Sequence, residues 1–171
     1  QGAFVNYESH SVSDSLGGNG DGITNPGEHI SMAVTVKNWG GMPAYRVQAV
    51  LRTSDPWATV TDSLQQFGDL LPGAEATSIG PYAFTVSPSC TSGHQLSFTL
   101  HIWDQNSEVW DNDFTVPVST TRLSCESFQI DDAPPGGNGD HNLDPGEAVA
   151  LSLSLHNAGP SALADVRGVL F

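Results

Sequence analysis

An internal repeat constrains this chain more than any other feature of its sequence. Asn19 and Asn138 begin two copies of one motif that stand 119 residues apart, and each copy ends in Pro-Gly-Glu. The offset also holds for the alternating apolar positions that follow each motif. These are Ile30, Met32, Val34 and Val36 after the first copy, and Val149, Leu151, Leu153 and Leu155 after the second. A repeat of this length indicates tandem copies of one small domain.

The apolar residues within each copy recur with a period of two. Residues 29–37 alternate between apolar and polar side chains, and residues 96–102 do the same. This alternation predicts half-buried antiparallel strands. We expect seven strands in the first copy, near 3–12, 29–37, 45–53, 57–61, 77–86, 94–103 and 108–118. Short strands and frequent turns, in a repeat close to the ~100 residues of an immunoglobulin domain, predict an immunoglobulin-like β-sandwich.

The repeat also predicts the domain organisation. Residues 1–119 form a complete module, and residues 120–171 hold the first part of a second one. The second module has strands only near 122–130, 148–156 and 164–171, which cannot close a sandwich and leave a face and edges open. The predicted fold class is therefore all-β, with tandem immunoglobulin-like modules of which the second is incomplete. Further modules of a longer chain or other copies of the protein are the expected partners.

Composition excludes several classes of function. Nineteen acidic residues against five basic ones give a net charge of −14, which disfavours nucleic acid and an anionic membrane surface. No apolar stretch approaches the ~18 residues of a membrane span. Residues 1–5 do not form a signal peptide, so any export signal was removed or lies upstream. The excess of carboxylates suits a hard cation as a partner.

The first motif matches the ligand spacing of an EF-hand calcium loop when residues 17–28 are numbered from one to twelve. Its glycine at position six is Gly22. The predicted ligands are Asn19, Asp21, Asn25 and Glu28 at positions three, five, nine and twelve, the carbonyl of Ile23 at position seven, and Asp14, which replaces the missing carboxylate of position one. Strands, not helices, are expected to flank this loop.

The second motif keeps the same frame. Either Asp131 or Asp132 takes the part of Asp14, with Asp132 preferred, and His141 stands where the first loop has glycine. The other predicted ligands are Asn138, Asp140, Asn142, Asp144 and Glu147. A histidine reaches the left-handed backbone conformation at some cost, so we expect weaker binding in the second loop.

Calcium is the expected cofactor because it accepts six to eight oxygens in loose geometry. Magnesium demands a stricter octahedron, and zinc prefers nitrogen or sulfur ligands. The alternative is turn chemistry alone, since Asn, Asp, Gly and Pro all favour turns. Turn chemistry does not explain why a carboxylate recurs at positions five and twelve of both copies. The predicted role of the cation is structural.

The motif and the alternating strand after it resemble the immunoglobulin-like modules of large secreted bacterial proteins. These modules include accessory domains of exported proteases and the CARDB-like, cell-adhesion-related repeats of surface proteins. The resemblance covers both copies and implies an extracellular, non-catalytic role in a stalk, fibre or surface layer. The alternatives are an accessory domain of a secreted protease or other hydrolase, and a carbohydrate-binding module with a glycan as partner.

The remaining chemistry-bearing residues do not indicate an enzyme. No histidine has a Ser or Cys partner pattern around it. Trp57, Trp103 and Trp110 could form a sugar-binding platform. The alternative, which we favour, is that Trp103 and Trp110 are hairpin partners or pack at the edge of the core. Cys90 and Cys125 are predicted to form a disulfide across the module junction, with two free thiols as the alternative.

Overall fold

The computed structural model describes residues 2–119, 123–157 and 166–170. These residues form eleven strands and no helix, which confirms the all-β prediction. The strands are β1 (Val5–Ser13), β2 (His29–Asn38), β3 (Ala44–Arg52), β4 (Ala58–Asp62), β5 (Leu64–Leu70), β6 (Glu75–Thr77), β7 (Tyr82–Val86), β8 (Gln95–Trp103), β9 (Val109–Pro117), β10 (Leu123–Asp131) and β11 (Ala150–Asn157). The chain divides into two compact units, Gln1–Thr120 and Thr121–Phe171.

The first unit is a sandwich of two antiparallel sheets. One sheet has the order β1-β2-β7-β4, with β6 also paired to β2, and the other has the order β5-β3-β8-β9. The period of two along β2 directs Ile30, Met32, Val34 and Val36 into the core, where each is fully buried. Burying a side chain of this size contributes roughly 1.5–3 kcal/mol, so this one strand is a major source of stability.

Side chains join the two sheets across the core. The ring centroids of Phe84 in β7 and Phe98 in β8 lie 4.9 Å apart. The hydroxyl of Tyr82 donates a hydrogen bond of 3.1 Å to the carbonyl oxygen of Ala49 in β3. Burial raises the pKa of Tyr82, so the phenol stays protonated and keeps this bond at any ordinary pH.

The prediction missed β5 and merged β6 with β7. In β5 only Phe67 and Leu70 are buried, and Gly68 has a φ of 80° at an irregularity in the pairing with β3, so the alternation is too weak to recognise. Between β6 and β7 the chain bends over residues 78–81, where Pro81 has no N–H to continue a ladder. Strands were found close to the other six predicted positions of the first copy.

Asn38 fixes the end of the sandwich where β1 begins. Its side chain is fully buried, and its Oδ1 accepts hydrogen bonds from the N–H groups of Phe4 (3.1 Å) and Gly40 (2.9 Å). Its Nδ2 donates to the carbonyls of Met42 (2.8 Å) and Leu70 (3.1 Å). One amide therefore ties together the start of β1, the β2–β3 turn and the end of β5.

The second unit pairs β10 with β11 as the first unit pairs β1 with β2. Glu8 is a bulge residue of β1, and it lies between the residues that pair with Val36 and Thr35 of β2. Glu126 is the equivalent bulge residue of β10, and it lies between the residues that pair with the equivalent positions of β11. The apolar side chains of this hairpin are largely exposed, including Leu153 at 53%. The third predicted strand, near 164–171, is wrong over residues 166–170, which form no strand; its other positions lie outside the described residues.

The side chain of Asp55, which is 5% exposed, supports a loop of the first unit. It accepts hydrogen bonds from the N–H groups of Trp57 (3.0 Å) and Ser97 (3.2 Å), and the Nε2 of His94 lies 2.8 Å from its Oδ2. Burial alone would raise the pKa of Asp55, but these partners outweigh it and the pKa falls below 3.8. The folded state therefore binds this proton less readily than the unfolded chain does.

The lowered pKa of Asp55 predicts a loss of stability in acid. Its contribution to the free energy of unfolding is complete above the unfolded pKa, 3.8, and declines as the pH falls through the lower folded pKa. The difference in free energy of unfolding between the wild type and Asp55→Asn should thus be largest at neutral pH and shrink below 3.8. Denaturant unfolding of both proteins at pH 7 and pH 3 measures it. An equal difference at the two pH values would contradict this assignment.

Candidate cation loops

The first candidate loop connects the end of β1 to the start of β2, so strands flank it as predicted. Asp14 lies at its base and is 2% exposed. The Oδ2 of Asp14 accepts hydrogen bonds from the N–H groups of Gly20 (2.6 Å) and Asp21 (3.1 Å), and its Oδ1 accepts one from Gly22 (3.0 Å). Burial alone would raise the pKa of Asp14, but these backbone donors outweigh it and lower the pKa. The loop is therefore wrapped around an ionised carboxylate.

Glu28 closes the loop from its other end. Its Oε1 accepts a hydrogen bond from the N–H of Asn19 (3.1 Å), and its Oε2 accepts one from Asn25 (2.9 Å). A Cβ on Gly18 would stand 2.7 Å from atoms of both Asp14 and Glu28. Only glycine fits between these two side chains, which explains a residue that the spacing argument did not use.

The middle of the loop is built from Asn and Asp side chains that bond the backbone two residues further on. Asn19 Oδ1 accepts from the N–H of Asp21, and Asp21 Oδ1 accepts from the N–H of Ile23, both at 2.9 Å. Asn19 Nδ2 donates to Asn25 Oδ1 at 2.8 Å. Gly22 has a φ of 77°, the left-handed conformation that position six was predicted to need. All the predicted side-chain ligands thus belong to one hydrogen-bonded loop.

The second loop repeats this network. The corresponding hydrogen bonds run from Asn138 N to Glu147 Oε1 (3.0 Å), Asp144 N to Glu147 Oε2 (3.1 Å), Asp140 N to Asn138 Oδ1 (2.9 Å) and Asn142 N to Asp140 Oδ1 (2.8 Å). Asn138 Nδ2 lies 3.2 Å from Asp144 Oδ2. The duplication therefore extends from sequence to individual atoms.

The two loops differ at the carboxylate at the base. Asp132 is 1% exposed and its Oδ2 accepts the N–H of His141 (3.0 Å), whereas Asp131 is exposed and its Oδ1 accepts the nearby N–H of Ala133. The structure thus places Asp132 as the counterpart of Asp14. His141 has a φ of 64°, so the histidine does adopt the left-handed conformation. Asp132 accepts one backbone N–H from its loop where Asp14 accepts three.

The candidate donor atoms are oxygens, which calcium prefers, although the side chains do not form a compact metal cluster. Among residues 2–119, 123–157 and 166–170, no group of three or more His, Cys, Asp or Glu side chains is placed to hold a metal ion. A carboxylate offers about four lone-pair sites, and the backbone uses three at Asp14 and two at Glu28, so oxygen capacity remains. Ile23 and Asn142 take part through their N–H groups, and the predicted roles of the Ile23 carbonyl and of Asn142 as ligands stay predictions.

The tryptophans and cysteines lie outside the loops. Trp57 and Trp110 are partly buried against the core, which agrees with the packing alternative for Trp110. Trp103 lies opposite Val109 in the β8–β9 hairpin. Cys90 is buried, its Sγ lies 3.8 Å from the carbonyl oxygen of Thr91, and burial raises the pKa of its thiol. Cys125 is exposed, with its Sγ 3.5 Å from the carbonyl oxygen of Ser127. Both are free thiols in this structure, and the disulfide stays a prediction.

Sequence reasoning missed two polar groups that organise the first unit. No local pattern distinguishes the buried amide of Asn38, and the one available signal is the recurrence of Asn at the equivalent position, Asn157. Asn25 was predicted as a ligand, but its Nδ2 also donates to the carbonyl of Ser119 at 2.9 Å. No local pattern indicates a bond between residues so far apart in the chain.

Comparison with known proteins finds a likeness to solved structures but no matching family. No family model and no curated protein matches it. A crystal structure of BcpA, the major pilin subunit of Bacillus cereus, is similar with a TM-score of 0.31 and 13% sequence identity. The match covers 90% of this chain and 56% of the pilin subunit, so the chain spans little more than half of that protein. A likeness this weak carries no argument about function. No helix in the described ranges is long and apolar enough to cross a membrane.

Proposed function

We propose that the chain is a non-catalytic structural protein of the bacterial cell surface, built from tandem immunoglobulin-like modules whose loops bind calcium. The observation that carries this proposal is the duplicated loop, in which a network of Asn, Asp and Glu side-chain oxygens and backbone N–H groups recurs. A turn needs only a few such residues, whereas both loops surround a buried aspartate and end in a glutamate that accepts two backbone N–H groups. The high acidic charge suits the same function.

The strand order supports the immunoglobulin-like classification. The sheet β1-β2-β7-β4 follows the order A-B-E-D of that fold, and the sheet β9-β8-β3-β5 follows G-F-C with an added strand beside C. One feature departs from the usual chain order, because β4 at the D position comes before β5 beside strand C. The duplicated β1–β2 pairing supports the tandem arrangement.

Calcium would supply a positive charge that the loops themselves lack. In the first loop, Asp14, Asp21 and Glu28 carry three negative charges, and no Lys or Arg lies within residues 14–28. A bound divalent cation would offset the repulsion among them and favour the closed form of a fifteen-residue loop. Its role would be to stabilise the module, since nothing in the network requires chemistry.

Calcium should therefore raise the melting temperature of the first unit. At a free concentration of 100 times the Kd, a single site adds about 2.7 kcal/mol to the free energy of unfolding. Tryptophan fluorescence follows this transition selectively, because all four tryptophans precede residue 120. Thermal melts with calcium, with magnesium and with excess chelator measure the effect.

The Asp21→Asn variant is the matched control for the calcium melts. It keeps the Oδ1 that accepts the N–H of Ile23 but removes the charge, so its response to calcium should be weaker. A melting temperature that is the same in calcium and in chelator would reduce the first loop to turn chemistry. The assignment of a β-sandwich would be unaffected, and the proposed bound cation would be rejected.

Self-assembly is the second part of this proposal. In the first unit, β7 and the facing sheet cover the apolar side chains of β2, while the equivalent Leu151, Leu153 and Leu155 of β11 are 41–53% exposed. A second layer of strands with alternating apolar side chains would cover these leucines, and another copy of this protein would supply such a layer.

The exposed face of β11 predicts association that depends on concentration. Sedimentation velocity across a range of protein concentrations should show oligomers, and Leu153→Glu should shift the distribution toward monomer because it places a charge in the buried layer. Leu71→Glu, at an exposed turn of the first unit, is the control and should leave association unchanged. If the protein stays monomeric at all concentrations, a second copy of this protein is not the partner.

A further inference from the structure

We propose that the first loop also clamps the chain where it leaves the first unit, so that a cation that orders the loop orders this exit. Ser119 lies two residues beyond the end of β9. Its N–H donates to the carbonyl of Thr24 at 3.0 Å, and its carbonyl accepts the Nδ2 of Asn25 at 2.9 Å. The loop therefore holds both backbone polar groups of one residue on the path to the second unit.

Asn25 connects this clamp to the candidate cation site. Its N–H donates to Glu28 Oε2 (2.9 Å) and its Oδ1 accepts the Nδ2 of Asn19 (2.8 Å). Asn25 and Thr24 are 8% and 2% exposed, so few waters are available to replace these bonds. The side chain thus has its oxygen toward the loop and its nitrogen toward Ser119. A change in loop order changes the position of both ends of this amide.

The second loop has no amide at the position equivalent to Asn25. Its equivalent residue is Asp144, whose carboxylate can take the part of the Asn25 Oδ1 toward Asn138 Nδ2 (3.2 Å) but has no N–H to donate. Aspartate therefore satisfies the loop but cannot make the clamp. The pair of loops supplies a natural substitution, Asn25→Asp, that should separate the two roles.

Hydrogen exchange at the Ser119 amide tests the clamp. This inference rests on the proposed calcium site, and in the wild-type chain calcium should slow exchange of the Ser119 N–H. The N–H of Val118 is the internal control, since it bonds the carbonyl of His94 (2.8 Å) and not the loop. In Asn25→Asp, exchange at Ser119 should become roughly five- to tenfold faster than in the wild type, both in calcium and in chelator, while exchange at Val118 stays unchanged.

Two further results separate the clamp from the calcium site. Ser119→Ala should behave as the wild type, because the clamp uses only the backbone of Ser119. Calcium binding without a change at Ser119 would overturn this inference and leave the proposed function intact. If calorimetry detects no calcium binding, the proposed function fails; the clamp is then judged without a cation, where equal Ser119 exchange rates in the wild type and Asn25→Asp would overturn it.

Discussion

Replacing Asp14 by alanine is expected to lower the free energy of unfolding of the first unit by about 3 kcal/mol. The carboxylate accepts the N–H groups of Gly20, Asp21 and Gly22 and is almost fully buried. Alanine leaves the N–H groups of Gly20 and Gly22 without this partner, while the N–H of Asp21 keeps its bond to Asn19 Oδ1. Hydrogen bonds to a charged group contribute more than neutral ones. Guanidinium unfolding followed by tryptophan fluorescence reports this change for the first unit.

Asp132→Ala is the matched control for the Asp14 substitution. It makes the same chemical change in the second loop, where the carboxylate accepts one loop N–H. No tryptophan lies beyond residue 119, so the fluorescence transition of this variant should coincide with that of the wild type. A change of less than about 1 kcal/mol for Asp14→Ala would show that water replaces the carboxylate at little cost. The loop would then not depend on its central charge.

Replacing Asn38 by alanine is expected to destabilise the first unit by about 3–4 kcal/mol, the range reached when a buried hydrogen-bond network is broken. The substitution leaves the N–H groups of Phe4 and Gly40 and the carbonyls of Met42 and Leu70 without this partner. It also opens a small cavity at a fully buried position. Equilibrium unfolding in guanidinium measures the loss.

Gln105→Ala is the control for Asn38, because it removes an exposed amide from a turn of the same unit. A surface substitution of this kind changes the free energy of unfolding by less than about 0.5 kcal/mol. Similar effects of the two substitutions would contradict the structural role of Asn38. Unfolding that begins with release of β1, seen as early exchange of the Phe4 amide, would support it.

The candidate loop was largely predictable because its constraints are local. The spacing of Asn19, Asp21, Asn25 and Glu28 follows from short-range geometry, and the second copy tests the pattern inside the same sequence. The sequence also predicted that Asp14 replaces the carboxylate missing from position one, because Asp14 lies only three residues before that position. What spacing could not show is that backbone N–H groups already occupy much of this carboxylate.

The strands were predictable to the extent that each buries one face. The alternation in β2 and β8 is unambiguous because both strands pair on two sides and cover the core. β5 was missed because it lies at a sheet edge, where only Phe67 and Leu70 are buried and polar residues fill the remaining positions. The edge position that relaxes the pattern is a property of the assembled sheet.

The sequence by itself determined the all-β class, the repeat and the residues of both loops, because these depend on periodicity and on contacts between residues close in the chain. The tertiary structure decided that Asp132 and not Asp131 is the counterpart of Asp14, and that Asn25 reaches Ser119. Such choices depend on which backbone groups are brought together from distant segments. Packing sets those positions, and no local preference encodes them.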